Sequence, residues 1–111
     1  MSDNPRDWLR NGDTFAKAGN PTAAVSEYVA YATWADAEGF ALKAAAVYKQ
    51  VLVLAPTRRD VRRRLAESFV VLGLVNEAVG DLAVVAAEAK AAGDDHGWAE
   101  ALARRDALES R

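Results

Sequence analysis

The chain contains no cysteine. Disulfides, thiolate metal sites and cysteine nucleophiles are therefore excluded. A single histidine, His96, leaves no histidine pair for metal or relay chemistry. Proline is scarce, and all three prolines (5, 21 and 56) fall where a helix can begin or end. No apolar run approaches the length of a membrane span. The polar start, Met1 to Asp7, lacks the order of a signal peptide. Neither sign of charge dominates: 14 Lys and Arg face 16 Asp and Glu, a net −2. That balance gives no bulk drive toward nucleic acid or an anionic membrane. No Gly-rich phosphate loop, G-x-S-x-G or H-E-x-x-H is present. These absences point away from an enzyme and toward a cytoplasmic protein, or a module of a larger one, with no cofactor or metal.

What the chain does have is helix. Apolar residues make up 51% of it, and many are alanine, the best helix former. Residues 1–4 read as a tail. Pro5 opens a first helix with Trp8, Gly12, Phe15 and Ala16 on one face. Gly19-Asn20-Pro21 is a helix-to-helix turn. A second helix over about 22–38 buries Ala24, Val25, Tyr28, Tyr31, Ala32 and Ala35, and Gly39 stops it. A third lies in the stretch from Gly39 to Pro56, stops near Leu54, and carries Ala44, Val47, Tyr48, Val51 and Leu52 at helical spacing. Beyond Pro56 a fourth carries Val61, Leu65, Ala66, Phe69 and Val70 and stops at Gly73. A fifth, over about 76–92, carries Ala78, Val79, Leu82, Val85, Ala86 and Ala89. Gly93-Asp94-Asp95 makes the last turn, where either aspartate can cap a sixth helix bearing Trp98, Ala101, Leu102 and Leu108. No segment alternates long enough to be a strand.

The helices repeat. Gly19 and Gly73 are 54 residues apart, as are Gly39 and Gly93. At that offset Phe15 falls on Phe69, Ala24 on Ala78, Val25 on Val79, Ala32 on Ala86 and Ala35 on Ala89. The spacing predicts two three-helix units, about 5–56 and 59–109, in a single domain over 5–109. Trp8-x2-Asn11-Gly12-x2-Phe15, Ala24-x3-Tyr28, Ala44-x3-Tyr48 with Pro56, and Leu65-Ala66-x2-Phe69 with Ala78-x3-Leu82 resemble the tetratricopeptide repeat. The run Gly39-Phe40-x2-Lys43-Ala44-x3-Tyr48-Lys49-Gln50 is similar to that of bacterial scaffold and signalling members with lengthened helices. Asn11, and the lack of proline after the second and fifth helices, depart from the pattern. The resemblance implies an all-α fold, six antiparallel helices in a right-handed superhelix (an α-solenoid). It also implies a protein–protein interaction scaffold that binds a partner peptide or helix in a concave groove.

Transferring the family's phases gives the candidate partner-binding residues. They are Arg6, Leu9, Asp13 and Lys17 from the first helix, Val29, Thr33 and Asp36 from the second, and Asp60, Arg63, Glu67 and Val71 from the fourth. The two-carboxylate clamp of chaperone-binding members is not supported, since its Lys and Asn positions hold Arg6, Arg10, Ala30, Asp60 and Arg64. The run Arg58-Arg59-Asp60-Val61-Arg62-Arg63-Arg64 has two readings. It is either a basic patch for an acidic peptide, phosphate or nucleic acid, or a solvated face paired with Asp60 and Glu67. The second is favoured; nucleic acid is unlikely, because aromatics are not interleaved with these arginines. His96 beside Asp94 and Asp95 reads as a capping turn. Trp8, Trp34 and Trp98 read as core or cap aromatics rather than ligand platforms. The rival function is homo-oligomeric self-assembly through exposed solenoid ends.

Overall fold

The computed structural model describes residues 4–110. Six helices follow in order: α1 (Pro5–Lys17), α2 (Pro21–Ala37), α3 (Ala41–Leu54), α4 (Arg59–Val71), α5 (Val75–Ala91) and α6 (Asp95–Glu109). Of the expected tail, residues 1–3 lie outside the described residues. Asn4 is not tail: it caps α1, its side chain accepting the Arg6 N–H at 3.0 Å. The chain divides into two compact units, one ending at Pro56 and the other beginning at Thr57. Packing is between sequential helices within each: α1 on α2 on α3, and α4 on α5 on α6.

One turn is used four times. After α1, α2, α4 and α5 a glycine sits at positive φ, between 75° and 83°. The next residue's N–H returns to a carbonyl in the last helical turn: Asn20 to Phe15, Phe40 to Ala35, Leu74 to Phe69, and Asp94 to Ala89, at 2.8–2.9 Å. This closure satisfies carbonyls the helix end leaves open. A side chain at Gly39 would sit in the left-handed region, which costs roughly 1–2 kcal/mol for an L-residue. Because the residue after each glycine is already the N-cap of the next helix, the chain reverses at once and adjacent helices must pack.

The middle helix of each unit is covered on two sides, which explains why α2 is apolar around most of its circumference. Ala24, Ala32 and Ala35 of α2 are fully buried and let its neighbours approach. Tyr28 and Tyr48 are the largest fully buried side chains in this unit. Each buried ring reaches a carboxylate on the preceding helix: the Tyr28 hydroxyl donates to Asp13 at 2.5 Å, and that of Tyr48 to Asp36 at 2.7 Å. Burial, more than this bond, pushes the Tyr28 hydroxyl up to about 12. In the second unit Val61, Leu65, Ala66 and Phe69 of α4 and Ala78, Leu82, Val85, Ala86 and Ala89 of α5 are buried, with Ala101 and Leu108 of α6.

Candidate interaction surface

The basic run starts at a disadvantage, because cations at a helix N-terminus oppose the dipole. The structure answers this locally. Arg58, the N-cap of α4, clamps Asp60 in the first turn with two bonds, Nε to Oδ1 at 2.9 Å and Nη2 to Oδ2 at 2.8 Å. That bond, outweighing burial, holds the Asp60 carboxyl below the ordinary aspartate range, aided by the Val61 and Asp60 N–H groups.

Three more arginines of the run, Arg59, Arg62 and Arg63, reach side chains beyond α4. Arg62 reaches Asp81 of α5 at 3.3 Å, and both side chains keep under a fifth of their exposure. Arg63 reaches Glu100 of α6 at 3.2 Å, and Glu67 receives a two-point clamp from Arg104 of α6 at 2.9 and 2.8 Å. That clamp is the main reason the Arg104 guanidinium is held above its ordinary value. Arg59 meets Asp94 at 3.5 Å. The Arg59, Arg63 and Glu67 contacts form an ion-pair ladder that joins α4 to α6, which run parallel over α5. At its N-terminal end lies a cleft of about 410 Å³, floored by Val85 and Ala89 and walled by Arg59, Arg63 and Asp94. Its anions are internal. Asp60 holds the start of α4, and Asp94 caps α6 by accepting the Gly97 N–H at 2.9 Å. Among the described residues no group of three or more His, Asp or Glu is placed to hold a metal ion.

The first unit carries different chemistry. Trp34 stands between Tyr31 and Phe40, with ring centroids 5.7 Å away on each side. The Lys43 ammonium lies 5.0 Å from the Phe40 ring centre. Trp8, Trp34 and Trp98 are all half-buried. Trp98 packs on Val85, Ala86 and Ala101, with Lys90 over its ring.

The candidate residues therefore divide. Arg6, Leu9, Asp13 and Lys17 lie along α1, with Leu9 half-buried and the others exposed. Asp13 turns toward α2 through Tyr28, whereas Asp36 of α2 serves the seam with α3 through Tyr48. Val29 is half-buried and Thr33 exposed. Asp60 is engaged by Arg58, Arg63 and Glu67 face α6, and Val71 is 75% exposed. No protein-family model matches the chain, and no curated protein matches it. The expected pairing of the basic run holds for Asp60, but Glu67 pairs with Arg104 instead. Sequence reasoning did not include α6 in the surface, although a signal was present. Arg63 with Glu100 and Glu67 with Arg104 are opposite charges at the same separation of 37 residues, as two parallel helices side by side require. No helix among the described residues is long and apolar enough to cross a membrane.

Proposed function

We infer that the chain is a non-enzymatic interaction module of the tetratricopeptide type, which recognises a peptide or helix of a partner protein. One observation carries this reading: helices of equal or nearly equal length recur 54 residues apart, starting at 5 and 59, 21 and 75, and 41 and 95. Stacked helical hairpins of this kind build rigid surfaces from which outer side chains project. The outer helices supply such side chains, including Arg6, Leu9 and Lys17 on α1 and Val71 on α4. The test is capture of partners by the purified chain, followed by titration of an identified partner against Arg6→Glu, Leu9→Ser and Val71→Ser. Loss of affinity in at least one, with helicity unchanged, supports the module.

Self-assembly is the second reading. Val53 and Val71 favour it, being 74% and 75% exposed although apolar. Sedimentation of the chain alone decides between them. A concentration-dependent oligomer that Val53→Ser or Val71→Ser dissolves would replace the partner reading.

A further inference from the structure

The charges of the second unit's ladder are not repeated at the matching positions of the first. At the 54-residue offset, Arg63 with Glu100 becomes Leu9 with Ala46, and Glu67 with Arg104 becomes Asp13 with Gln50. The positions that tie α4 to α6 by charge are therefore apolar or neutral at three of four places on α1 and α3. Their surroundings differ in the same sense. α3 shows an outward stripe, Leu42, Ala46, Lys49 and Val53, at the spacing of one helix face. Leu42 is 70% and Val53 74% exposed, and Phe40 at the start of α3 is 43% exposed.

Charge gives the stripe a preferred occupant. α1 and α3 together carry five cations (Arg6, Arg10, Lys17, Lys43 and Lys49) against two carboxylates, Asp7 and Asp13. Asp13 is engaged by the Tyr28 hydroxyl, and Asp7 pairs with Arg10 at 3.2 Å, so the excess rests on the remaining cations, Arg6 and Lys43 among them. α4 and α6 are balanced, with six arginines (59, 62, 63, 64, 104 and 105) against six acids (60, 67, 95, 100, 106 and 109). We propose that the α1–α3 face is the docking surface of the first unit, and that its occupant is an acidic amphipathic helix of a partner protein. This rests on the interaction-module reading and gives the partner its chemistry. The apolar stripe from Leu42 to Val53 runs about 16 Å, which a helix of about three turns covers. Its apolar face lies on Leu42, Ala46 and Val53, and its carboxylates meet Arg6, Lys43 and Lys49. The second unit takes no such helix, because its ladder already supplies the acids.

The test is an NMR titration of the isotope-labelled full chain with three synthetic helical peptides. They share leucine anchors and differ in filling their polar positions with Glu, Lys or Gln. The Glu peptide is expected to shift the amides of Leu9, Leu42, Ala46 and Val53, with an affinity that falls as salt rises. Lys43→Glu combined with Arg6→Glu is expected to weaken it at least about tenfold, as is Leu42→Ser. All three sites are exposed, so helicity should not change. Leu9→Arg with Ala46→Glu copies one rung of the ladder into the first unit and should abolish binding. Equal binding of the Lys or Gln peptide at this face would overturn the acidic assignment and leave the module reading intact. Shifts confined to α4 and α6 would overturn the location. Silence from all three peptides, while a captured partner still binds the chain, would overturn the surface alone. A dimer dissolved by Leu42→Ser would make a second copy the occupant and overturn the proposal.

Discussion

Gly12 is the position where one methyl group should be felt most. It lies in α1 and is buried. A Cβ built there would stand 2.6 Å from both Cδ1 and Cε1 of Tyr28, and 3.1 Å from Cζ. The ring cannot easily withdraw, since Tyr28 is 2% exposed and its hydroxyl is tied to Asp13. Two effects then compete in Gly12→Ala. Replacing a mid-helix glycine with alanine contributes roughly 0.5–1 kcal/mol of stability. Overpacking a tight core costs about 1–3 kcal/mol. The clash wins, and the variant should lose about 1–2 kcal/mol. Gly80 in α5 isolates the first term, because a Cβ there meets nothing within 4 Å; Gly80→Ala should gain about 0.5–1 kcal/mol. The second unit shows how the clash is relieved, with Ala66 in place of Gly12 and Leu82 in place of Tyr28, both buried. Tyr28→Leu should therefore absorb the methyl group. The double variant Gly12→Ala with Tyr28→Leu should be more stable than the sum of the single changes by on the order of 1 kcal/mol or more. Urea unfolding followed by circular dichroism measures all four proteins. A Gly12→Ala variant as stable as Gly80→Ala would refute the close approach of Tyr28 to the α1 backbone.

Other expectations follow from particular contacts. The Tyr28 hydroxyl titrates at about 12 when folded, against 10.0 as its ordinary value. Its contribution is therefore complete below pH 10 and lost between about 10 and 12, amounting to about 2–3 kcal/mol; Tyr28→Phe should flatten this alkaline loss in urea melts across that range. Leu74 begins α5 with no side-chain cap and is 41% exposed, whereas Asn20 at the matching place accepts the Ala23 N–H. Leu74→Asn should raise stability by about 0.5–1 kcal/mol, and an unchanged melting curve would deny the missing cap. Asp81→Ala should cost about 1–3 kcal/mol, because the Arg62–Asp81 side chains are only 19% and 16% exposed; Glu67→Ala, at a pair 33% and 51% exposed, should cost under about 1 kcal/mol. Equal losses in chemical denaturation would mean that burial does not rank these pairs.

Helix positions were legible because the chain states them twice over. Gly39, Gly73 and Gly93 mark the ends of α2, α4 and α5, and Ala24, Val25, Tyr28, Tyr31, Ala32 and Ala35 are all buried as their spacing predicts. Apolar period reports which face of a helix is covered. It does not report which neighbour covers it, and the candidate surface depends on neighbours. Transferring the family's phases put Val29, Thr33 and Asp36 of α2 on one groove with residues of α1 and α4. In the structure α2 lies between α1 and α3, and Asp36 is engaged at the α3 seam. The polar network was hidden for a related reason. Exposed charges satisfy the helix pattern with any partner, so Asp13 with Tyr28 and Glu67 with Arg104 leave no trace in periodicity.

What periodicity cannot supply, comparison of the two units can. Where the units keep a buried residue, as with Ala24 and Ala78 or Ala35 and Ala89, packing alone accounts for it. Where a buried pair changes together, as Gly12 with Tyr28 against Ala66 with Leu82, packing still accounts for it, because the volumes compensate. The outer positions change without compensation. Arg63, Glu67, Glu100 and Arg104 hold two helices together by charge, while Leu9, Asp13, Ala46 and Gln50 do not. Exposed ion pairs of this kind contribute only about 0–1 kcal/mol each, so the stability of a three-helix unit does not require them. Their presence on one unit and absence on the other is what the proposed docking of an acidic helix on the first unit requires: the α4 and α6 face is already neutralised, whereas the α1 and α3 face is cationic and apolar.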